Sequence, residues 1–170
     1  MCLAILAPAL VLAALSLIAL PQTAGQAAMQ QGKKAPVEDV WKPAATPKGG
    51  VSWAVLEATK EQTRTGKDGY LYSKPLFTPA VKALAGKRIK VAGWMKPLET
   101  GGRQKHFVLL AYPPGCPFHF HAVPNQFIEV YADIPFATNE TKMIVVSGVL
   151  ELTGQDESGI FYRMKASSPA

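Results

Sequence analysis

Hydrophobic and polar residues alternate along the second half of the chain in the way that is typical of β-strands. The clearest stretch is KRIKVAGWMKP, in which Ile89, Val91 and Met95 fall on one face and Lys90 on the other. Four more apolar or alternating stretches follow it: HFVLLAYPP, QFIEVYADI, KMIVVSGVLEL and IFYRMKA. The connection TGQDESG between the last two is rich in turn residues. The pattern therefore predicts five strands at close spacing.

Two short helices are predicted before these strands. VSWAVLEAT places Trp53 and Leu56 at helical spacing. In FTPAVKALAGK, Thr78 can accept a hydrogen bond as the N-cap, Pro79 suits the first helical position and Gly86 suits the exit.

This order of elements predicts a mainly β fold. We expect a small five-stranded OB-like, partly open β-barrel with one or two short N-terminal helices. Gly93 and Gly148 fall inside strands, where such barrels need bends or bulges. In QFIEVYADI, Ile128 and Val130 are expected to be buried if Glu129 faces solvent.

The N-terminal part of the chain has a different composition. Residues 3–20 carry no charge, and small residues follow them, so residues 1–27 are predicted to be a signal peptide or an N-terminal anchor. Residues 28–50 are polar and rich in Pro, Ala and Gly, as a flexible linker would be. Residues 51–168 then form the barrel domain. We expect a periplasmic or secreted protein. The alternative is an uncleaved anchor that holds the domain at the inner membrane, facing the periplasm.

The charge distribution argues against one class of partner. The net charge is +6, and every charged residue lies from Lys33 onward. Lysines and arginines are spread through the chain, with adjacent pairs only at Lys33–Lys34 and Lys87–Arg88. This pattern favours solubility and a weak attraction to anionic surfaces, and it does not predict nucleic-acid binding. Membrane contact is expected only through the N-terminal segment, if that segment is uncleaved.

Metal-ligand residue types concentrate in PPGCPFHFHAVPNQ, residues 113–126. Cys116 is the only cysteine left once the leader is removed, and His119 and His121 lie beside it. In an extended chain the two histidines point the same way, about 7 Å apart, and their imidazoles can converge on one metal. A turn at Pro117 can bring the Cys116 sulfur to the same point. This set suits zinc with an open fourth position, and copper second.

A fourth ligand is not evident from the spacing. In a simple hairpin, Tyr112 would pair near Gln126, which places His106 roughly 20 Å from the loop. Met95, Met164 or water are left as candidates for the fourth position.

Other interpretations of the loop stay open. Histidines in a Pro-rich loop can be ordinary hydrogen-bonding groups, and a lone cysteine can be a small packed hydrophobe. A thiol redox role would need a lowered thiol pKa at Cys116, but the second cysteine and a βαβ context are missing. A zinc hydrolase would need a general base, and the nearest carboxylate in the sequence is Glu129.

From Trp53 to Ala166 the chain resembles a family of exported bacterial proteins classed as a domain of unknown function. The resemblance lies in the order of three blocks: FTPAVKALAGKRIKVAGWMKPLE, HFVLLAYPPGCPFHFHAVPNQFIEV and MIVVSGVLEL followed by GIFYRM. It implies an OB-like barrel on a lipoprotein or secreted protein. It also implies C-P-F-C, or C-x-H before a proline run and NQ, in this loop. Here His119 stands where the second cysteine of C-P-F-C would be, an exchange that a metal site tolerates and a dithiol pair does not.

Together these observations predict an exported metal-binding protein that takes part in envelope metal handling or delivery. Zinc is expected first, and the family's association with zinc-responsive transport genes points the same way. The expected partner is an envelope metal transporter or a recipient protein. The alternative is a protein-interaction module of the cell envelope that binds no metal, and a thiol redox protein or zinc hydrolase ranks below both.

Overall fold

The computed structural model describes residues 42–115 and 122–170. The chain divides into two units, Met1–Lys34 and Ala35–Ala170, and all the described residues belong to the second. In chain order its elements are α1 (Trp53–Glu57), β1 (Lys60–Thr65), β2 (Leu71–Leu76), α2 (Pro79–Lys82), β3 (Arg88–Pro97), β4 (Arg103–Leu110), a 3₁₀ turn (Pro124–Gln126), β5 (Phe127–Ala137), β6 (Met143–Leu152) and β7 (Tyr162–Pro169).

Five of the strands form a closed barrel in the order β3-β4-β5-β7-β6, with β6 returning to β3. Four of the pairings are antiparallel, and the pairing of β5 with β7 is parallel. The predicted fold class is confirmed, because the protein is mainly β with two short α-helices and its barrel is consistent with a small OB-like barrel. The five barrel strands correspond to the five stretches that the alternation predicts.

Helix α1 is tied to the barrel by buried hydrogen bonds. The Trp53 indole donates to the carbonyl oxygen of Ala92 at 2.7 Å, and the Tyr162 hydroxyl donates to that of Leu56 at 2.7 Å. The side chains of Trp53 and Leu56 are buried in the same core cluster as the inward residues of the barrel. Burying an aliphatic side chain of this size contributes about 1.5–3 kcal/mol, so α1 is an integral part of the core.

The second helix forms as its residues predict. The Val81 amide donates to Thr78 Oγ1 at 3.3 Å, and Pro79 occupies the first helical position. The chain leaves this segment at Gly86, which has φ +72°, a conformation that favours glycine.

Both strand glycines lie at irregular points of the barrel. Strand β3 pairs with β6 from Arg88 to Trp94 and with β4 from Trp94 onward. At this crossover, a Cβ on Gly93 would lie 2.5 Å from the carbonyl oxygen of Leu110. Gly148 lies where the β6–β7 register shifts between Ser147 and Val149. The expectation of a bend or bulge is therefore confirmed at Gly148, whereas at Gly93 the structure shows a close approach to the backbone of Leu110.

Strands β1 and β2 form a separate two-stranded antiparallel sheet that the sequence pattern does not predict. Every residue of β1 is exposed, so its sequence KEQTRT carries no apolar alternation. The sheet contacts the rest of the domain through ion pairs of Arg64 and Lys74 with Glu157, and through a bridge between Ser73 and Ser158.

No helix among the described residues is long and apolar enough to cross a membrane.

Burial of Tyr162 leads to a prediction for alkaline pH. Burial raises the pKa of its phenol from 10.0 to about 12, although the Thr59 hydroxyl, 2.6 Å away, lowers it slightly. The folded state favours the neutral phenol, so this stabilisation is complete below pH 10 and is lost as the pH rises through about 12. Titration of phenolate absorbance should show one of the five tyrosines ionising near pH 12. Tyr162→Phe should remove that step, and an unchanged titration curve would contradict the assignment.

Candidate functional site

The three predicted metal ligands, Cys116, His119 and His121, lie in residues 116–121, outside the described part of the chain. Their metal-binding role stays a prediction. The structure does describe both ends of the connection that carries them, since β4 ends at Leu110 and β5 begins at Phe127.

The two ends of this connection are hydrogen-bonded to each other. Leu110 and Phe127 are the last pair of the β4–β5 ladder, and the Ala111 amide donates to the carbonyl oxygen of Gln126 at 2.9 Å. The pairing predicted from a simple hairpin, Tyr112 near Gln126, is therefore one residue out of register. We call residues 112–125, which this closure encloses, the β4–β5 connection.

Asn125 and Gln126 attach the end of this connection to α1. The Asn125 side-chain amide donates to the carbonyl oxygens of Glu57 and Thr59, both at 3.0 Å, and Gln126 Nε2 donates to Glu57 Oε1 at 3.1 Å. The sequence indicates only a strand-entry turn here, because the partners lie more than 60 positions away. Asn125 Oδ1 is buried, and it has no hydrogen-bond partner in the part of the chain that the structure describes.

Tyr112, at the start of the connection, lies near the same glutamate. Burial first, and then a hydrogen bond with Glu57, raise the pKa of the Tyr112 phenol. Glu57 therefore contacts residues at both ends of the β4–β5 connection.

His106 lies in the barrel wall. It pairs with Tyr131 across the β4–β5 ladder, four residues from the last pair, which corresponds to about 13 Å along a strand. Its Nε2 atom is 3.0 Å from Glu129 Oε1, and its ring stacks on Tyr131 with centroids 4.4 Å apart. Met95 and Met164, the other candidates for a fourth ligand, are fully buried in the barrel core.

The assumption that Glu129 faces solvent is wrong, because its residue is only 8% exposed. Its Oε2 accepts from Arg163 Nε at 2.9 Å and from Arg163 Nη2 at 2.8 Å. Its Oε1 accepts from the Tyr131 hydroxyl at 3.0 Å and faces His106. Side chains from the neighbouring strands β4 and β7 cover the carboxylate, which strand alternation alone cannot reveal.

This arrangement keeps Glu129 ionised. Burial by itself raises the pKa of the carboxyl, but hydrogen bonds from His106, Arg163 and Tyr131 outweigh it and hold the pKa below the ordinary 4.5. A carboxylate with a lowered pKa and both oxygens engaged is a poor proton acceptor at neutral pH. The geometry therefore gives Glu129 a role in joining three strands and gives no support to its use as a general base.

Within residues 42–115 and 122–170, no group of three or more His, Cys, Asp and Glu side chains is placed to hold a metal ion.

Fold and sequence together define the class of this protein, a small closed β-barrel that carries Cys and His residues on the connection between strands β4 and β5. A family model described as protein of unknown function (DUF3299) matches residues 20–168, and the chain belongs to this family. The expected membership in a family classed as a domain of unknown function is thereby confirmed.

The chain is also similar to a solved structure, that of a DUF3299 family protein from Pseudomonas aeruginosa PAO1. The two are 27% identical over 54% of this chain, with a TM-score of 0.44. The match spans 66% of the length of that protein. No curated protein matches the chain.

Proposed function

We propose that this protein binds a transition metal through Cys116, His119 and His121 and handles that metal in the cell envelope. Zinc is the first choice and copper the second. The protein would be periplasmic or secreted, or held at the inner membrane by its N-terminal segment, and it would pass metal to an envelope transporter or a recipient protein.

The chemistry of the three side chains supports the proposal. One thiolate and two imidazoles within six positions match the ligand types that zinc and copper prefer. Three protein ligands leave a coordination position open. An open position suits a protein that must release its metal again, since another ligand can enter there.

The observation that carries the proposal is the fixed closure of the β4–β5 connection. Its ends are held by the Ala111–Gln126 hydrogen bond, and Asn125 attaches it to α1. All three proposed ligands fall within a span of only 14 residues, 112–125, whose ends are already together. Metal binding therefore brings together ligands of one short closed loop, which costs less conformational entropy than joining distant segments.

The buried side-chain oxygen of Asn125 is a second observation in support of the proposal. Ligating histidines commonly donate their other ring N–H to an oxygen acceptor, which fixes the tautomer and the ring orientation. Asn125 Oδ1 is a buried acceptor four positions after His121, and the residues that the structure describes do not occupy it. We assign it to a ligand imidazole of the connection.

Metal analysis tests the proposal directly. The wild-type protein, isolated from its native compartment, should carry stoichiometric metal. Cys116→Ser, His119→Ala and His121→Ala should each weaken zinc binding, on the order of 100-fold or more, because each removes a direct ligand. The measurement is the bound metal per chain, followed by competition against a chelator of known affinity.

The remaining histidine supplies a matched control. His106→Gln changes one imidazole in the barrel wall and should leave zinc affinity unchanged. The proposal fails if wild type and ligand variants carry the same substoichiometric metal. If the Cys116 thiol of the metal-free protein still reacts as a thiolate well below pH 8, that result would instead favour the redox alternative.

A further inference from the structure

The sequence predicts membrane contact only through the N-terminal segment, but we propose that one face of the barrel also binds lipid bilayers that contain anionic phospholipids. The face is formed by Lys48, Lys87, Arg88 and Lys90, and we call it the β3 cationic surface. This inference does not depend on the metal site and concerns a different part of the domain.

Two of the four cations lie on β3, and a third directly precedes it. Arg88 and Lys90 are exposed and alternate along the strand with the buried Ile89 and Val91, so both point outward. Lys87 directly precedes the strand and is exposed as well, and its carbonyl oxygen accepts from the Leu150 amide at 3.0 Å. The backbone of this segment is thereby fixed on β6.

The fourth cation comes from a turn that rests on β3. The Gly50 amide donates to the carbonyl oxygen of Pro47, and the Val51 amide donates to that of Lys90, both at 2.8 Å. This turn places the exposed Lys48 next to the strand. Lys48 and Lys90 are 42 positions apart in the sequence and are brought together only by the fold.

Among the described residues, none of these four cations forms an ion pair with a carboxylate. The ion pairs among the described residues use other cations: Arg64, Lys74, Lys96, His106, Arg163 and Lys165. Val149 of β6 pairs with Arg88 of β3 on one side and with Lys165 of β7 on the other, so Lys165 lies two strands away from Arg88. The acid next along β6, Glu151, is bound to Lys165 at 2.9 Å.

The spacing lets these charges act together. Arg88 and Lys90 are about 7 Å apart along the strand, and neighbouring strands are about 4.8 Å apart. These separations lie within the Debye length of about 8 Å at physiological ionic strength. Arg88 is also fixed in place, because its Nη1 donates to the carbonyl oxygen of Ala166 at 3.0 Å.

The composition of the surface favours a bilayer over a nucleic acid. Proteins that bind single strands combine cations with aromatic side chains on which bases stack. The exposed aromatic residues of the described barrel and sheet, Tyr70 and Tyr131, lie on other strands or turns. Lysines on a strand face present point charges to many headgroups at once, and each adds roughly fivefold to the affinity for an anionic leaflet. Residues 3–20 carry no charge, and the signal peptide or anchor predicted there would also bring the chain to a membrane.

Vesicle co-sedimentation of the full chain tests the proposal. One set of vesicles contains phosphatidylcholine alone, and the other also contains about 30% phosphatidylglycerol, a content that gives a clearly negative surface potential. The quantity compared is the ratio of the two partition coefficients, so that any contribution of the apolar segment cancels. The test variant combines Lys48→Gln, Lys87→Gln and Lys90→Gln, three exposed side chains with no hydrogen bond or ion pair to the described residues. It should lower the ratio on the order of 100-fold.

A control variant with the same net charge separates the surface from the overall charge. It carries substitutions at three exposed lysines outside the β3 cationic surface, namely Lys60→Gln, Lys67→Gln and Lys142→Gln. The control should keep a ratio within about fivefold of the wild type, the effect of a single cation at the membrane. Both variants should unfold at the same temperature as the wild type.

Three results would overturn the proposal. One is an equal loss of binding in the two variants, which would mean that only net charge matters. Another is a wild-type protein with no preference for anionic vesicles. The third is a wild-type protein that binds duplex DNA more tightly than anionic vesicles at the same phosphate concentration, with this DNA binding lost in the test variant. That result would assign the surface to a nucleic acid.

Discussion

Replacing Glu129 by glutamine is expected to lower the free energy of unfolding by about 2–4 kcal/mol at pH 7. Removing one partner of a buried ion pair typically costs about 3–5 kcal/mol, because the other charge is left uncompensated. Here Arg163 keeps about a third of its side chain exposed, which reduces the cost. Denaturant unfolding of wild type and Glu129→Gln at pH 7 measures the difference.

The pH dependence of this difference identifies its origin. The folded pKa of Glu129 lies below the ordinary value of 4.5, so its charge stabilises the fold above that pH. The stabilisation is lost as the pH falls through the folded pKa. The gap between wild type and Glu129→Gln should therefore be widest near neutral pH and should narrow in acid.

A second glutamate on the barrel wall provides the control. Glu151 pairs with the exposed Lys165 at 2.9 Å, and its own side chain is 37% exposed. Exposed pairs contribute about 0–1 kcal/mol, so Glu151→Gln should have a small effect. If the cost of Glu129→Gln were the same at neutral and acid pH, packing and not charge would be its cause.

Gly93→Ala is expected to lower the free energy of unfolding by about 3 kcal/mol, the upper end for overpacking. The added methyl group would lie 2.5 Å from the carbonyl oxygen of Leu110 and 2.8 Å from Leu109 Cγ. The oxygen belongs to the β3–β4 ladder, where Trp94 pairs with Leu110, so it cannot move aside without breaking the pairing. Thermal and denaturant unfolding measure the loss.

Gly102→Ala is the matched control. A Cβ on Gly102 meets no atom within 4 Å, and its φ lies outside the positive range. The same change there should be neutral or slightly stabilising, since alanine reduces the freedom of the unfolded chain. If both substitutions lowered the free energy of unfolding equally, the close contact with Leu110 would not be the cause of the loss at Gly93.

The barrel could be predicted from the sequence because each of its strands has a strong period of two or a continuous apolar run. Strand β3 shows this best, with Ile89, Val91 and Met95 all buried as the pattern predicts. The sheet of β1 and β2 could not be predicted in this way. Every residue of β1 is exposed, so KEQTRT has no apolar period to detect.

The surroundings of Glu129 could not be predicted, because they depend on which strands become neighbours. Alternation places its side chain on the outer face, which is correct, but it cannot show that Arg163 and His106 cover it there. Arg163 is 34 positions away and reaches Glu129 only through the parallel pairing of β5 and β7.

The same limit applies to the β3 cationic surface and in part to the candidate metal site. Scattered lysines indicate no surface until the turn at Pro47–Gly50 is placed against Lys90. The ligand types at Cys116, His119 and His121 can be recognised from sequence alone because they are adjacent. The anchoring role of Asn125 depends on α1, which lies far away in the sequence.

The position of β7 between β5 and β6 has a consequence for the order in which the molecule folds. The first four barrel strands in chain order can associate only as an open sheet, β6-β3-β4-β5, whose two outer strands have unpaired edges. Both edges are closed in a single step by β7, the last barrel strand along the chain. In a chain synthesised from its N-terminus, these two edges stay open until residues 162–169 have left the ribosome. During that interval the incomplete sheet is exposed to edge-to-edge aggregation.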